Sequence, residues 1–308
     1  MSFGYQVLGF GGGGAVKILI DATGGTIEEI DDYRVHTFTS TGSFVVNDIA
    51  ASLPAPAKAV DYVVVAGGGA GGYSWGAGGG AGGFRESHVD AISGTYTASP
   101  ITSATSIPIT ASSYPITIGA GGGQTNSPPA CGCQGTPGSV STFSTISSSG
   151  GGGGGGGHQN PGLPGGSGGG AGGEPSGTPA GTGNVGGYSP AEGTPGGPGT
   201  RTAGGGGATV AGTGHPGGTG GAGAATQISL TAGIPGPDPL FQYYAGGGTP
   251  SQSPTNGGVG GGGGSPFNPG PTPESFGAVN SGGGSKGDVS NVPEAGGSGV
   301  VVIRYKYK

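Results

Sequence analysis

DYVVVAGGGAGGYSWGAGGGAGGF, residues Asp61 to Phe84, carries a set of valines straight into Gly67, Gly69 and Gly72, the G-x-G-x-x-G spacing of a dinucleotide-binding turn. That turn works only when a helix follows it, because the helix N-terminus holds the pyrophosphate. Residues 73–84 read YSWGAGGGAGGF, and each interior glycine costs a helix roughly 1 kcal/mol relative to alanine. No helix starts at Gly72. Asp90 lies at about the distance of a ribose-binding acid, roughly 20 residues on, but FRESHVDAISGTY shows no second strand leading to it. The stretch reads instead as a strand that ends where glycine-rich structure begins.

The composition extends this reading. With 85 glycines and 26 prolines in 308 residues and only 8% charged side chains, the chain lacks the material for a conventional core. A net charge of −6 with nine Lys and Arg gives no basic footprint for nucleic acid. No apolar run reaches the length of a membrane span, and MSFGYQVLGFGGGG has neither a charged leader nor a hydrophobic leader region. Action outside a cell would then require lysis or a route without a cleaved signal. Cys131 and Cys133 in ACGCQG read as a local thiol pair or a tight disulfide, and no metal site or cofactor is expected.

The expected fold is mainly β: a sandwich-like base with inserted, packed polyglycine-II or polyproline-II helices and essentially no α-helix. Residues 15–66 and 299–308 supply the base through AVKILIDATGG, YRVHTFTSTGSFVV, AVDYVVVA and the terminal VVVIRYKYK. In the second of these Tyr33, Val35, Thr37 and Thr39 alternate with Arg34, His36, Phe38 and Ser40, and STGS predicts a hairpin turn before Phe44. The terminal strand is expected to pair with the early ones. Residues 67–298 form the glycine-rich region, with minor strands near 107–118 and 226–232.

Glycine runs in that region alternate with clusters such as HQNPGLP and GYSPAEGTP without a strict G-X-Y period, which excludes collagen. Flexible linker and packed rods are the two remaining readings. A polyproline-II-type rod makes no internal hydrogen bonds, so its N–H and C=O groups must find neighbours. Where faces are glycine, two rods approach closely enough to bond, and the proline clusters become the turns between them. The packed reading accounts for the pattern better.

Taken together, GGTIEEIDDYRVHTFTSTGSFVV, VDYVVVAGGGAGG, YPITIGAGGG and GGSGVVVIRY resemble the glycine-rich domain of bacteriophage tail-fibre and appendage proteins, especially from phages of marine bacteria, over about Gly24 to Tyr305. A related plan occurs in the glycine-rich ectodomain of certain animal receptor kinases. The resemblance implies a non-enzymatic, homotrimeric virion appendage that acts extracellularly and recognises a host glycan or outer-membrane protein. It brings no catalytic residues, and His36, His88, His158 and His215 sit in unrelated contexts without a catalytic motif. Recognition would fall to exposed aromatics, with Tyr73, Trp75, Tyr243 and Tyr244 as the receptor-binding candidates. Phe3, Tyr5, Val7, Leu8 and Phe10 of the N-terminal peptide 1–14 are expected to insert into another virion protein or another copy. A self-assembling filament and a capsid decoration are the competing readings.

Overall fold

A computed structural model describes residues 17–123, 133–157, 160–173, 178–199, 201–251, 253, 255–264, 275–288 and 294–308. The fold is mainly β. Five short strands form one antiparallel sheet in the order β1 (Ile20–Thr23), β4 (Gly42–Ile49), β8 (Ser113–Thr117), β9 (Ser141–Phe143) and β10 (Ile146–Ser148). A second sheet runs β2 (Thr26–Ile30), β3 (Tyr33–Phe38), β14 (Val300–Lys306), β5 (Ala59–Val65) and β6 (Phe84–Glu86), with β7 (Ile107–Pro108) also on β5. A small third sheet joins β11 (Ala224–Thr226), β13 (Gln242–Tyr244) and β12 (Ile234–Pro235). One α-helical turn, α1 (Asp90–Ser93), and one 3-10 turn (Ala55–Ala57) complete the regular elements among the described residues.

The first two sheets pack face to face. Ile20, Phe44, Val46, Ile116 and Phe143 of one meet Tyr62, Val64, Val301, Ile303 and Tyr305 of the other. The opposite face of the second sheet offers Val63, Val65, Val300 and Val302 to Ala208, Ala224, Ile228 and Tyr244. β5 and β14 are therefore covered on both faces, which is why VDYVVV and VVVIRY are nearly continuous apolar runs. As expected, the terminal strand lies between the early ones, pairing Val302 with both Thr37 and Val63.

Three local expectations are corrected. STGS does not close a hairpin: β3 pairs with β2 and β14, while β4 pairs with β1 and β8, so residues 39–41 carry the chain from one sheet to the other. The nearby hairpin instead joins β2 to β3 through Asp31 and Asp32, with Asp31 in the left-handed region at φ 54°. The strand expected over 226–232 stops at Thr226, because the Ser229 hydroxyl accepts from the backbone N–H of Thr231 (3.1 Å) and Ala232 (3.0 Å) and bends the chain. The base also extends beyond 15–66 and 299–308: besides β7 and β8, which fall where minor strands are expected near 107–118, β6, β9 and β10 arise within the segment read as glycine-rich.

His36 shows how tightly the sandwich is closed. Its ring is fully buried, with Nδ1 donating to Gly24 O (2.7 Å) and Nε2 accepting from the Tyr305 hydroxyl (2.9 Å). Burial pulls its pKa down to about 4. An unfolded imidazole takes its proton near 6.5, so the folded state loses stability as pH falls from about 6.5 to about 4. At pH 4.5 the loss is on the order of 2–3 kcal/mol relative to pH 7.5. Glu86, raised by burial, works in the opposite direction. The His36 contribution is therefore read as the difference between the urea stabilities of wild type and His36→Gln at the two pH values. A difference that does not change with pH would refute it.

Beyond the base the backbone is extended but not laddered, and its bonding repeats every third residue, as a three-residue turn requires. In the rod 76–83, Ala77, Gly80 and Gly83 donate to Gly155, Gly152 and Ser149; Gly78 and Ala81 to Ala203 and Gly206; Gly79 and Gly82 to Ser285 and Gly282. The same rod accepts from Gly72, Gly69 and Ala66, from Gly170 and Ser167, and from Ser251 and Gly248. Each row, its members three residues apart, reaches a different neighbour, so this rod stands inside a ring of others. The glycine region is a hydrogen-bonded lattice of rods.

Rods on the lattice perimeter carry side chains outward at the same threefold interval. Pro137, Pro164, Pro179, Pro195 and Pro198 are exposed, while Gly135, Gly162, Gly181, Gly196 and Gly197 beside them are buried. Proline has no N–H, so these outward positions present no donor on which a further rod could bond, much as proline blunts sheet edges.

Candidate binding site

Rods 66–72 and 76–83 continue β5 outward and return to β6, so the turn between them lies at the lattice end remote from the base. That turn holds Ser74 and Trp75 in the left-handed region, at φ 49° and 67°. The geometry suits few non-glycine residues and needs surrounding support. Support comes from Asp288, whose backbone carbonyl accepts from the N–H of both Trp75 (3.0 Å) and Gly76 (3.1 Å). The Trp75 side chain is 55% exposed. A large indole is thus displayed on an immobilised backbone, so little freedom remains to be lost on binding.

Tyr73 and Tyr244 are not exposed, contrary to expectation. Tyr73 is 2% exposed, and its residue continues the bonding row of Gly67 and Ala70: its N–H reaches Cys133 O (2.9 Å) and its carbonyl accepts from Gly157 (2.9 Å). Tyr244 is fully buried in β13, its ring 6.0 Å from that of Phe84 and its hydroxyl donating to Ala232 O. Burial raises the phenol's pKa well above its usual range. Tyr243 is half-buried at the base end, where its hydroxyl accepts from Asp238 N (3.4 Å). The four aromatics therefore do not converge; Trp75 alone meets the expectation of an exposed tip residue. Phe3, Tyr5, Val7, Leu8 and Phe10 lie outside the described residues.

Glu294, whose carbonyl accepts from the Ser285 hydroxyl, has its carboxyl raised by burial and by the Asp288 charge, against a Ser275 hydrogen bond and the Lys286 charge, which lower it. Cys133, next to the Tyr73 contact, is in a disulfide.

One polar constellation escaped sequence reasoning. Asp61, buried in β5, accepts from the hydroxyls of Ser87 (2.8 Å), Ser106 (2.5 Å) and Ser93 (2.6 Å) and from Val89 N (2.8 Å). Its neighbour across the ladder, Arg304, donates to Ser93 O (2.8 Å) and Ile228 O (3.0 Å), with its guanidinium 5.1 Å and 4.9 Å from the Tyr33 and Tyr96 rings. Every Asp61 oxygen is used to fasten α1 and the 87–106 loop to the base, so the cluster is a clasp and not a reaction centre. Its signal was an aspartate at an inward strand position, legible only once the strand was known to be buried on both faces. His88 bonds Gly94 O (3.0 Å) and Asp90 (3.3 Å), again locally.

Among the described residues no group of three His, Cys, Asp or Glu side chains gathers as metal ligands, and no helix is long and apolar enough to cross a membrane. No curated protein matches the chain. The glycine-rich domain family model matches residues 39–306, from the β3–β4 crossing through the lattice to the end of β14, and the chain belongs to that family.

Proposed function

We propose that this protein is a non-enzymatic virion appendage, of the tail-fibre or adhesin kind, that attaches to a glycan or outer-membrane protein of the host surface. The observation that carries this reading is Trp75: a single large aromatic, fixed by its backbone, at the end of a lattice anchored on a β base. In this reading the base end joins other virion proteins through the N-terminal peptide, and a homotrimer suits a fibre. The rival, a filament grown through glycine faces, is disfavoured by the exposed prolines of the perimeter, which offer no donor to an added rod.

Two measurements test the proposal. Antibody labelling of native particles is expected to mark a tail appendage; labelling along a continuous filament overturns it. Trp75→Ala is expected to weaken particle adsorption to host cells roughly 30-fold, the effect of losing an aromatic hot spot of about 2 kcal/mol. Unchanged adsorption removes the tip from recognition.

A further inference from the structure

A second candidate site lies at the other end of the molecule. Two adjoining cavities of about 280 and 390 Å³ share Thr26, Thr37 and Thr39 and form one trough beside β2 and β3, closed on its far side by residues 231–233 and by Val279 and Asn280. Thr26 and Thr37 are direct cross-strand partners, so their positions are set by the ladder. The polar groups around them are held from behind. Glu28, which lines the trough, accepts at Oε2 from the Ser229 hydroxyl (2.9 Å), Leu230 N (3.3 Å) and the Thr231 hydroxyl (3.5 Å), which fixes the carboxylate. Asn280, in the left-handed region at φ 59°, accepts at Oδ1 from the Ser298 hydroxyl (3.2 Å) and donates its backbone N–H to the Ser298 hydroxyl oxygen (2.9 Å). Among the described residues its amide N–H groups have no hydrogen-bond partner.

We infer that this trough binds a neutral saccharide. Hydroxyls that both donate and accept, one fixed carboxylate oxygen and one fixed amide donor match the alternating hydroxyls of a pyranose. The aliphatic surface of Val279, 69% exposed, suits the C–H face of the ring. No Lys or Arg lines either cavity, and Glu28 repels anions, so acidic sugars are disfavoured. A cavity of about 280 Å³ lies near the lower end of ordinary small-ligand sites, and the adjoining volume admits a second ring. The inference stands apart from the Trp75 tip and does not depend on what the tip recognises.

Saturation-transfer NMR on the whole protein tests it, using the methyl glycosides of glucose, galactose and mannose at millimolar concentration with N-acetylneuraminic acid as the acidic comparison. Transfer to at least one neutral glycoside, and none to the acid, is the expected result. Thr37→Val removes one hydroxyl at constant shape, and Asn280→Gly removes the amide while keeping the left-handed backbone. Each is expected to weaken binding at least ten-fold while the protein remains folded with a cooperative thermal transition, whereas Trp75→Ala leaves binding unchanged. No transfer to any neutral glycoside overturns the inference. So does transfer that survives both trough variants, or transfer lost only in Trp75→Ala, which would place the sugar at the tip.

Discussion

Gly78→Ala is expected to destroy the fold. A Cβ at this position would stand 2.0 Å from the carbonyl oxygen and 2.5 Å from the carbonyl carbon of Gly248. Both are backbone atoms, so no side chain can swing aside. Nor can the rod retreat, because Gly78 donates to Ala203 O (2.9 Å) and accepts from Gly170 N (2.9 Å), and its neighbours are bonded in turn to others. Overpacking an ordinary core costs about 1–3 kcal/mol because side chains repack. Here the strain falls on main chain, and a loss of at least about 4 kcal/mol is expected, a large part of a typical total stability. Ala70, Ala77 and Ala81 are buried in the same rods, so the lattice admits a methyl group at selected positions only. Gly42→Ala in β4 is the control: nothing lies within 4 Å of its added Cβ, and its stability should change by no more than about 1 kcal/mol. Urea unfolding of the two variants decides the matter. If Gly78→Ala is as stable as Gly42→Ala, close rod packing is not what the glycines are for.

Asp61→Ala is the second large effect. Removing the carboxylate leaves the Ser87, Ser93 and Ser106 hydroxyls and the Val89 N–H without their acceptor inside the base. It also loosens Ser93, whose carbonyl Arg304, 5% exposed, uses as an acceptor (2.8 Å). A loss of about 3–5 kcal/mol follows from stranding buried partners in this way. Asp61→Asn should be less severe, since one carbonyl oxygen still accepts, yet its amide hydrogens oppose the donors on the other side. The order wild type, Asn, Ala in urea midpoint is the expected result. Equal midpoints would mean that solvent replaces the carboxylate and the clasp carries no weight.

Much of this architecture was legible in the chain. The apolar runs at Val63–Val65 and Val300–Ile303 announced two central strands, and the failure of YSWGAGGGAGGF to support a helix pointed to rods. Topology was less accessible, because STGS has the composition of a hairpin turn whether its flanking strands pair with each other or with strands elsewhere. The aromatics were harder still. Tyr73 and Trp75 differ by two residues, but one lies in a bonding row and the other in the turn that ends it, a distinction set by partners from distant segments. Tyr243 and Tyr244 alternate in β13, so one of the pair had to face the core, and the fit of the Tyr244 ring against Phe84 determined which. The threonine trough had no sequence signature, since Thr26, Thr37 and Thr39 become neighbours of Asn280 only through the assembled base.

The direction of the rods has a mechanical consequence. Their hydrogen bonds lie across the rod axis, and the rods 66–72 and 76–83 run without interruption into β5 and β6. A pull on Trp75 along that axis is therefore carried as shear shared among many bonds side by side, rather than as peeling that breaks them one at a time. A load applied at the tip passes to the base without stretching a loop.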